Sequence, residues 1–264
     1  GKIIETKPDG TIIEREGTWG PMDPTNPEGS WLWHLTGIGN VIEKKPDGTI
    51  IENEGIWGPK DPTNPEGRWY LTGIGNIIEK KPDGTIIEKK GTWGPMDQTN
   101  PQGLWHLTGV GNQIETKPDR TIIECEGTWG PMDPKNPQGR WDLTGNATKI
   151  EKKPDGTIIE IEGTWRPKDS TNPQGPYGLL GVEKIIHKFT DGTIIENEGI
   201  WGPKDPTNPQ GLWHFTGIGK IIETKSDGTK IENEGTWVPK DPNNLQGPWH
   251  LIKHDRCSRK RKRE

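Results

Sequence analysis

The side chains that could do chemistry in this 264-residue chain recur at a fixed spacing rather than forming one site. Most of the six histidines follow a tryptophan, at a position that elsewhere holds Tyr70, Asp142 or Gly178. None of the four serines lies in a nucleophile elbow, and no two histidines have metalloprotease spacing. The Gly-Ile-Gly-Asn segments lack the third glycine of a dinucleotide site. We therefore predict that the chain is not an enzyme, with no catalytic residue and no cofactor.

Oxygen donors form a second group of candidates. They recur in an Asp-Pro-Thr-Asn-Pro loop, which first occurs with Asp23, Asn26 and Glu28. Ca²⁺ takes about six to eight oxygen ligands. The glutamate, however, becomes glutamine in five of the seven copies, and prolines interrupt the loop. Because Asp and Asn side chains also close turns, we expect these residues to shape turns, and we predict no metal site.

The 14 tryptophans fall into two series with the same spacing, apart from the additional Trp31. We expect the first series to fill the core, because aliphatic residues are scarce: Trp19, Trp57, Trp93, Trp129, Trp165, Trp201 and Trp237. The second series lies beside the polar loop: Trp33, Trp69, Trp105, Trp141, Tyr177, Trp213 and Trp249. Exposed rings there, next to donors such as Asp97 and Asn100, would suit sugar rings, and repeated weak sites would gain avidity. These tryptophans with Asp97 and Asn100 are the candidate carbohydrate-binding residues.

The spacings define seven repeat units. Aspartates in Pro-Asp-Gly-like turns recur every 36 residues after a first interval of 38: Asp9, Asp47, Asp83, Asp119, Asp155, Asp191 and Asp227. A fixed period of this size is typical of repeat proteins, in which each unit packs on its neighbours. We predict one repeat domain over residues 1–254, followed by a disordered basic tail over 255–264. The units are 1–38, 39–74, 75–110, 111–146, 147–182, 183–218 and 219–254.

Each unit is predicted to be all-β. The 37 glycines and 25 prolines are so evenly spread that no helix of average length fits between them, which excludes helical and α/β folds. No apolar run approaches the roughly 18–20 residues of a membrane span. A Pro-Asp-Gly turn at 82–84 predicts a β-hairpin, in which Ile78 faces Glu88 and Glu79 faces Ile87. Arg120 replaces the turn glycine of the fourth unit, where a left-handed residue costs about 1–2 kcal/mol.

The hairpin pattern leaves the architecture open. Isoleucines occur on both faces, so we expect a sheet covered on both sides by stacked units. A unit offers three strands, or four if the Gly-Thr-Trp-Gly segment also pairs. A seven-bladed β-propeller, an open β-solenoid-like stack of hairpins and a loosely coupled array all fit these tandem 36-residue repeats.

Charge and cysteines bear on partners and compartment. The net charge is −5, but residues 253–264 carry +5, so the repeats would repel nucleic acid. The tail has the composition of a nuclear-localisation signal, or of a patch for an anionic partner or import receptor: Arg259, Lys260, Arg261, Lys262 and Arg263. Two cysteines make no disulfide framework, and we expect Cys125 to be an exposed free thiol. The chain is secreted or cell-wall associated if a signal peptide was removed, with Asn146 as a glycosylation acceptor, and nuclear if the tail is a localisation signal.

Three hypotheses about function follow. The first is a non-catalytic structural or multivalent binding scaffold, which binds carbohydrate or another protein through its repeated surfaces. The second is a repetitive precursor, storage or cell-wall-type protein with no specific ligand. The third is a nuclear protein addressed by its basic tail.

Overall fold

A computed structural model of the protein describes residues 1–21, 33–64, 67–172, 175 and 177–254. Of Pro21, Trp33 and His34 only the backbone is described. The first copy of the polar loop, with Asp23, Asn26 and Glu28, lies outside the described residues, as does the basic tail. The fold is all-β, with 62% of the residues in strands.

Sixteen antiparallel strands form one sheet in the described part of the chain. They are β1 (Lys2–Thr6), β2 (Ile12–Pro21), β3 (Trp33–Lys44), β4 (Ile50–Pro59), β5 (Trp69–Lys80), β6 (Ile86–Pro95), β7 (Trp105–Thr116), β8 (Ile122–Pro131), β9 (Trp141–Lys152), β10 (Ile158–Pro167), β11 (Tyr177–Leu180), β12 (Lys184–Lys188), β13 (Ile194–Pro203), β14 (Trp213–Thr224), β15 (Lys230–Pro239) and β16 (Trp249–Lys253). Neighbours in the chain are neighbours in the sheet, except that β11 and β12 both pair with β10. The sheet does not close. The open stack of hairpins is therefore confirmed, and the closed propeller is not formed.

Most units contribute two long strands rather than the three or four that we expected. Strand β5 is 12 residues long because it combines three segments: the one that begins with the second tryptophan, the Gly-Ile-Gly segment and the first strand of the hairpin. Gly73 has φ +71°, so the chain bulges at this point and the strand continues. The Gly-Thr-Trp-Gly segment likewise extends the second hairpin strand, so that β6 includes Trp93.

Each long strand changes partners along its length. In β5, Trp69–Thr72 pair with β4 only, Gly73–Gly75 with β6 only, and Asn76–Lys80 with both. The sheet is therefore continuous beside the Pro-Asp-Gly turns. Beyond the Gly-x-Gly segments it divides into two-stranded ribbons, one for each polar loop. These ribbons carry the tryptophans.

The Pro-Asp-Gly turns set the hairpin register as the sequence predicts. Ile78 faces Glu88 and Glu79 faces Ile87. The backbone N–H of Thr85 donates to the Asp83 carboxylate at 2.8 Å, and that bond lowers the pKa of the carboxyl group. At the glycine position of the Pro-Asp-Gly turn, φ is positive in every unit. This includes the fourth unit, where Arg120 replaces the glycine and has φ 70°.

Tryptophans of the first series pack each ribbon on the ribbon before it. Trp93 lies over Gly55 and Gly75 of the preceding ribbon, where any Cβ would lie within 3.0 Å of the indole. Its N–H donates to the carbonyl oxygen of Glu54 at 2.7 Å. Leu71, beside it, has no exposed surface. We call this site the indole seat. It consists of the two glycines under the indole ring and the backbone carbonyl oxygen that accepts the indole N–H.

The expectation that stacked units cover both faces of the sheet was wrong. Units lie edge to edge in a single layer, and among the described residues the buried core clusters lie on the face bearing the first tryptophan series. On the other face the residues between the two bulge glycines project outward, and Ile38, Ile74 and Val110 are more than 80% exposed. A single apolar face suffices here because the indoles of each ribbon cover the preceding one.

The core divides into two clusters at the junction of the fourth and fifth units. One cluster ends at Leu143, and a second begins at Ala147. Ala147 occupies the position of a seat glycine: at the equivalent Gly111, a Cβ would lie 2.2 Å from the indole nitrogen of Trp129. Trp165 is displaced as a result, and its buried Nε1 has no hydrogen-bond partner.

A second seat is filled by a different side chain. At Gly163, Val182 lies where an indole would otherwise pack. Trp201 instead donates its N–H to Leu179 O at 3.0 Å. The long strand is broken here into β11 and β12.

Cys125 is not the exposed thiol that we expected. It is buried, with 7% of its surface exposed, and it belongs to the first core cluster. It lies four residues before Trp129 on β8, so both side chains point to the packed face. Burial raises the pKa of its thiol to about 11.

Candidate ligand-binding surface

The polar loops project from one edge of the sheet, each built from two consecutive turns. In the third unit the N–H of Asn100 donates to Asp97 O, and that of Gly103 to Asn100 O, each at 2.9 Å. Asp97 accepts the backbone N–H and the hydroxyl of Thr99 at 2.9 and 2.6 Å. The hydroxyl, more than the N–H, lowers the pKa of the Asp97 carboxyl group. Asp97 therefore forms the turn, and Asn100 lies exposed beside it.

The tryptophans of the second series whose side chains are described are half-buried at the base of these loops, and the side chain of Trp33 lies outside the description. Trp105 donates its N–H to Pro101 O at 2.8 Å, within its own loop. Trp141, Trp213 and Trp249 make the same contact with the residue four positions earlier, at 2.8–2.9 Å. Trp69 is half-buried as well. The indole nitrogens of these four bonded rings are satisfied internally, which leaves the partly exposed ring faces to meet other molecules.

Between two successive loops lies a cleft of about 490 Å³. Trp93 and Trp105 form its aromatic wall, and Lys60, Thr72 and Gln98 supply polar groups, with prolines completing the lining. The ammonium of Lys60 bridges the loops by donating to Gly103 O at 2.7 Å. Partial burial lowers the pKa of this lysine. The cleft is therefore lined by side chains of two adjacent units, and the spacing of residues in the sequence did not predict that they lie together.

The variable position after the second tryptophan contacts the next unit. Tyr70 lies edge-on to Trp93, with ring centroids 5.7 Å apart. His106 lies between Trp129 and Trp141, with ring centroids at 5.9 and 5.7 Å. Burial lowers the pKa of His106, which favours the neutral form of the imidazole. Tyr70 and His106 therefore pack against the aromatic rings of the next unit.

A larger groove of about 990 Å³ lies on the opposite face, beside the core interruption. Its lining includes Glu126, Glu162, Glu183, Lys184 and Ala147. We did not predict this groove from the sequence. The sequence does contain an indication of the groove: the glycine of the indole seat is replaced by Ala147 in the fifth unit and by Glu183 in the sixth.

Within the described ranges, no three His, Cys, Asp or Glu side chains converge to hold a metal ion. The same residues contain no helix with the length and apolar character needed to cross a bilayer. Comparison with models of protein families and with curated proteins gives no match. The molecule is therefore classed by its architecture, as an open, all-β, tandem-hairpin repeat protein rich in tryptophan.

Proposed function

We propose that this chain is a non-catalytic multivalent scaffold that binds carbohydrate along its loop edge. The observation that carries the proposal is the cleft between successive loops, with the half-exposed Trp105 on one wall and Lys60 and Gln98 beside it. A flat aromatic face with a few fixed polar groups is the usual composition of a small-ligand site. The C–H face of a sugar would lie on the indole, and its hydroxyl groups would meet the polar side chains.

Repetition is the second support for the proposal. The same loop recurs along one edge of the sheet, so similar clefts would stand about 10 Å apart, the spacing of two antiparallel strands. A polysaccharide could occupy several clefts at once, and linked weak contacts gain avidity without any new interaction. In this proposal Asp97 and Asn100 hold the loop that frames the cleft, and the tryptophans of the second series provide the ring faces.

A glycan array with the intact chain tests the proposal. Trp105→Ala, Trp141→Ala and Trp213→Ala, combined stepwise, should weaken binding to the same glycans more with each substitution. Phe189→Ala is the matched control, because Phe189 is an exposed aromatic residue in a turn at the opposite edge. No binding by the intact chain, or unchanged binding by the triple variant, would remove carbohydrate from the proposal.

Circular dichroism separates a packed scaffold from a storage-type chain with weakly folded units. A cooperative thermal transition with fixed near-ultraviolet tryptophan signals is expected for the scaffold. A gradual transition without those signals would favour the storage hypothesis. Deleting 259–263 and following localisation in cells tests the nuclear hypothesis separately.

A further inference from the structure

One position of the repeat holds a lysine in some units and a methionine in others. It comes directly after the proline that ends each strand bearing a first-series tryptophan, at the entrance to the polar loop. In the described part of the chain its residues are Lys60, Met96, Met132, Lys168, Lys204 and Lys240. Because Lys60 lines the cleft between two loops, the identity of this residue changes the chemistry that a ligand meets there.

The lysine at this position bridges two successive loops. The ammonium of Lys60 donates to Gly103 O of the following loop at 2.7 Å. Lys168 and Lys204 make the same bond with the equivalent glycine carbonyls of their following loops, at 3.1 and 2.8 Å. An ammonium group has three N–H donors, so this bond uses one of them and leaves the others available to a ligand.

Lys60 brings a positive charge into a cleft without a negative one. Among the described residues that line the cleft it is the only charged one, and within the described chain its ammonium makes no ion pair. The ring of Tyr70 lies 5.3 Å from it. The carboxylate of the next residue, Asp61, accepts the N–H and the hydroxyl of Thr63 at 2.9 and 2.6 Å. Partial burial, and then the charge of Arg68, lower the pKa of Lys60. A ligand that supplies a negative charge would therefore stabilise this ammonium.

The glutamates of the hairpins lie too far from the cleft to repel an anion. They belong to the continuous part of the sheet, and the nearest along β4 is Glu54, six residues before Lys60. A strand rises about 3.3 Å per residue, so the two are about 20 Å apart. At physiological ionic strength charges are screened beyond about 8 Å. The negative net charge of the repeats therefore does not determine what the cleft binds.

Junctions with methionine offer no charge at this position. Between the third and fourth units Met96 replaces the lysine, while both tryptophans of the cleft wall are kept, as Trp129 and Trp141. Met132, at the next junction, is only 2% exposed. The two kinds of junction therefore share their aromatic wall and differ in whether a positive charge stands beside it.

We propose that this position selects the charge of the ligand: junctions with lysine bind an acidic sugar that carries a carboxylate, and junctions with methionine bind a neutral sugar. The inference rests on the carbohydrate binding proposed above. At a lysine junction the sugar ring lies on the indole of the second series, and its carboxylate accepts a charge-assisted hydrogen bond from the ammonium. Lysine junctions join the second unit to the third, the fifth to the sixth and the sixth to the seventh. The ligand that matches this edge is a polysaccharide that contains uronic acids.

Titration calorimetry with two matched ligands tests the inference. One is an oligouronate, and the other is the same oligomer with its carboxyl groups reduced to hydroxyl groups. The intact chain should bind the oligouronate about ten-fold or more tightly than the reduced oligomer, the effect of a hydrogen bond to a charged group. This preference should decrease as the salt concentration is raised.

Exchanging the two residue types tests the position itself. Lys60→Met, Lys168→Met and Lys204→Met together should lower the affinity for the oligouronate about ten-fold more than that for the reduced oligomer. Met96→Lys, which adds a lysine to a further junction, should increase the preference. The matched control is Lys45→Met, Lys81→Met and Lys135→Met, which removes the same charge from exposed lysines outside the cleft and should retain the preference. Circular dichroism of each variant verifies the fold.

The outcomes separate this inference from the proposed function. Failure of the intact chain to bind either oligomer or any glycan on the array overturns the proposed function and this inference with it. Equal affinity of the intact chain for the two oligomers overturns this inference alone. So does a preference that the triple methionine variant retains, or one that the control variant loses equally.

Discussion

The indole N–H of Trp93 donates to the carbonyl oxygen of Glu54 at 2.7 Å, across 39 residues of sequence. The same bond joins Trp57 to Glu16, Trp129 to Lys90 and Trp237 to Glu198, at 2.7–2.9 Å. Its partners lie in successive units, so the bond belongs to the junction between units rather than to either of them. The stability of the sheet should therefore depend on these junctions.

Replacing Trp93 tests the strength of one junction. Trp93→Phe keeps a ring over the glycines but leaves Glu54 O without its indole donor, and we expect a loss of about 1–2 kcal/mol in the free energy of unfolding. Trp93→Ala should cost about 3–5 kcal/mol, because it also opens a cavity. Urea denaturation measures both. Trp19→Phe is the control, and an equal loss there would contradict the junction model, since Trp19 is half-exposed.

Exchanging glycine and alanine under an indole ring should have opposite effects at Gly111 and at Ala147. Gly111→Ala places a methyl group against the indole of Trp129 and should destabilise by about 1–3 kcal/mol. Ala147→Gly should allow Trp165 to enter its seat over Gly127. Hydrogen exchange of the Trp165 indole N–H, followed by NMR, should then become slow. Continued fast exchange would show that Ala147 is not what displaces the ring.

Two histidines between tryptophan rings contribute to a dependence of stability on pH, and so does His187, whose pKa burial also lowers. His106 and His214 each lie between two tryptophans, and burial lowers both pKa values below that of the unfolded chain. Because the unfolded state then binds protons more readily, stability is full above about pH 6.5 and falls as the pH drops through the lowered folded pKa. Thermal melting against pH measures it. His106→Gln with His214→Gln should reduce the slope of the profile in this range and leave the part due to His187, and His254→Gln, which changes an exposed residue, should not alter it.

The turn at Arg120 contains removable strain. Arg120 has φ 70°, a conformation that costs a residue with a side chain about 1–2 kcal/mol. Arg120→Gly should therefore raise the urea midpoint without changing the slope of the transition. Gly84→Arg, at the equivalent turn of the preceding unit, is the reverse experiment and should lower it. A midpoint that moves the same way in both variants would contradict this account.

Cys125 should be chemically inert in the folded protein. Its burial and the raised pKa of about 11 leave little thiolate at neutral pH. In a Cys257→Ser chain, labelling by a maleimide should be slow in buffer and rapid in denaturant. Rapid labelling of the folded chain would restore the exposed thiol that the sequence analysis predicts.

The sequence predicted the features that depend on local rules. The register of Ile78 against Glu88 follows from a Pro-Asp-Gly turn and from the alternation of side chains, both of which act over a few residues. Burial of Trp57, Trp93 and Trp129 follows from the scarcity of aliphatic side chains. The sequence also shows that Cys125 lies four residues before Trp129, which places both side chains on the same face of a strand. We nevertheless expected an exposed thiol because the other units have polar residues at this position, and that prediction was wrong.

Features that depend on contacts between units could not be predicted in this way. Whether the strands continue through Gly73–Gly75 depends on a bulge, and whether the sheet closes depends on the angle between adjacent ribbons. The cleft at Lys60 and Trp105 combines residues of two units, so no single repeat reveals it. The structural role of Asp97 was expected as one of two uses of an oxygen donor, and the fold places its carboxylate on Thr99.

Because the sheet does not return on itself, nothing in its geometry fixes the number of repeats. A propeller that gains or loses a blade must change the angle between all the others, whereas this sheet would only lengthen or shorten by about 10 Å for each pair of strands. Duplication or deletion of one 36-residue unit would therefore change contacts only at the new junction between units. Copy number can vary between otherwise equivalent molecules, and the number of polar loops along the sheet with it.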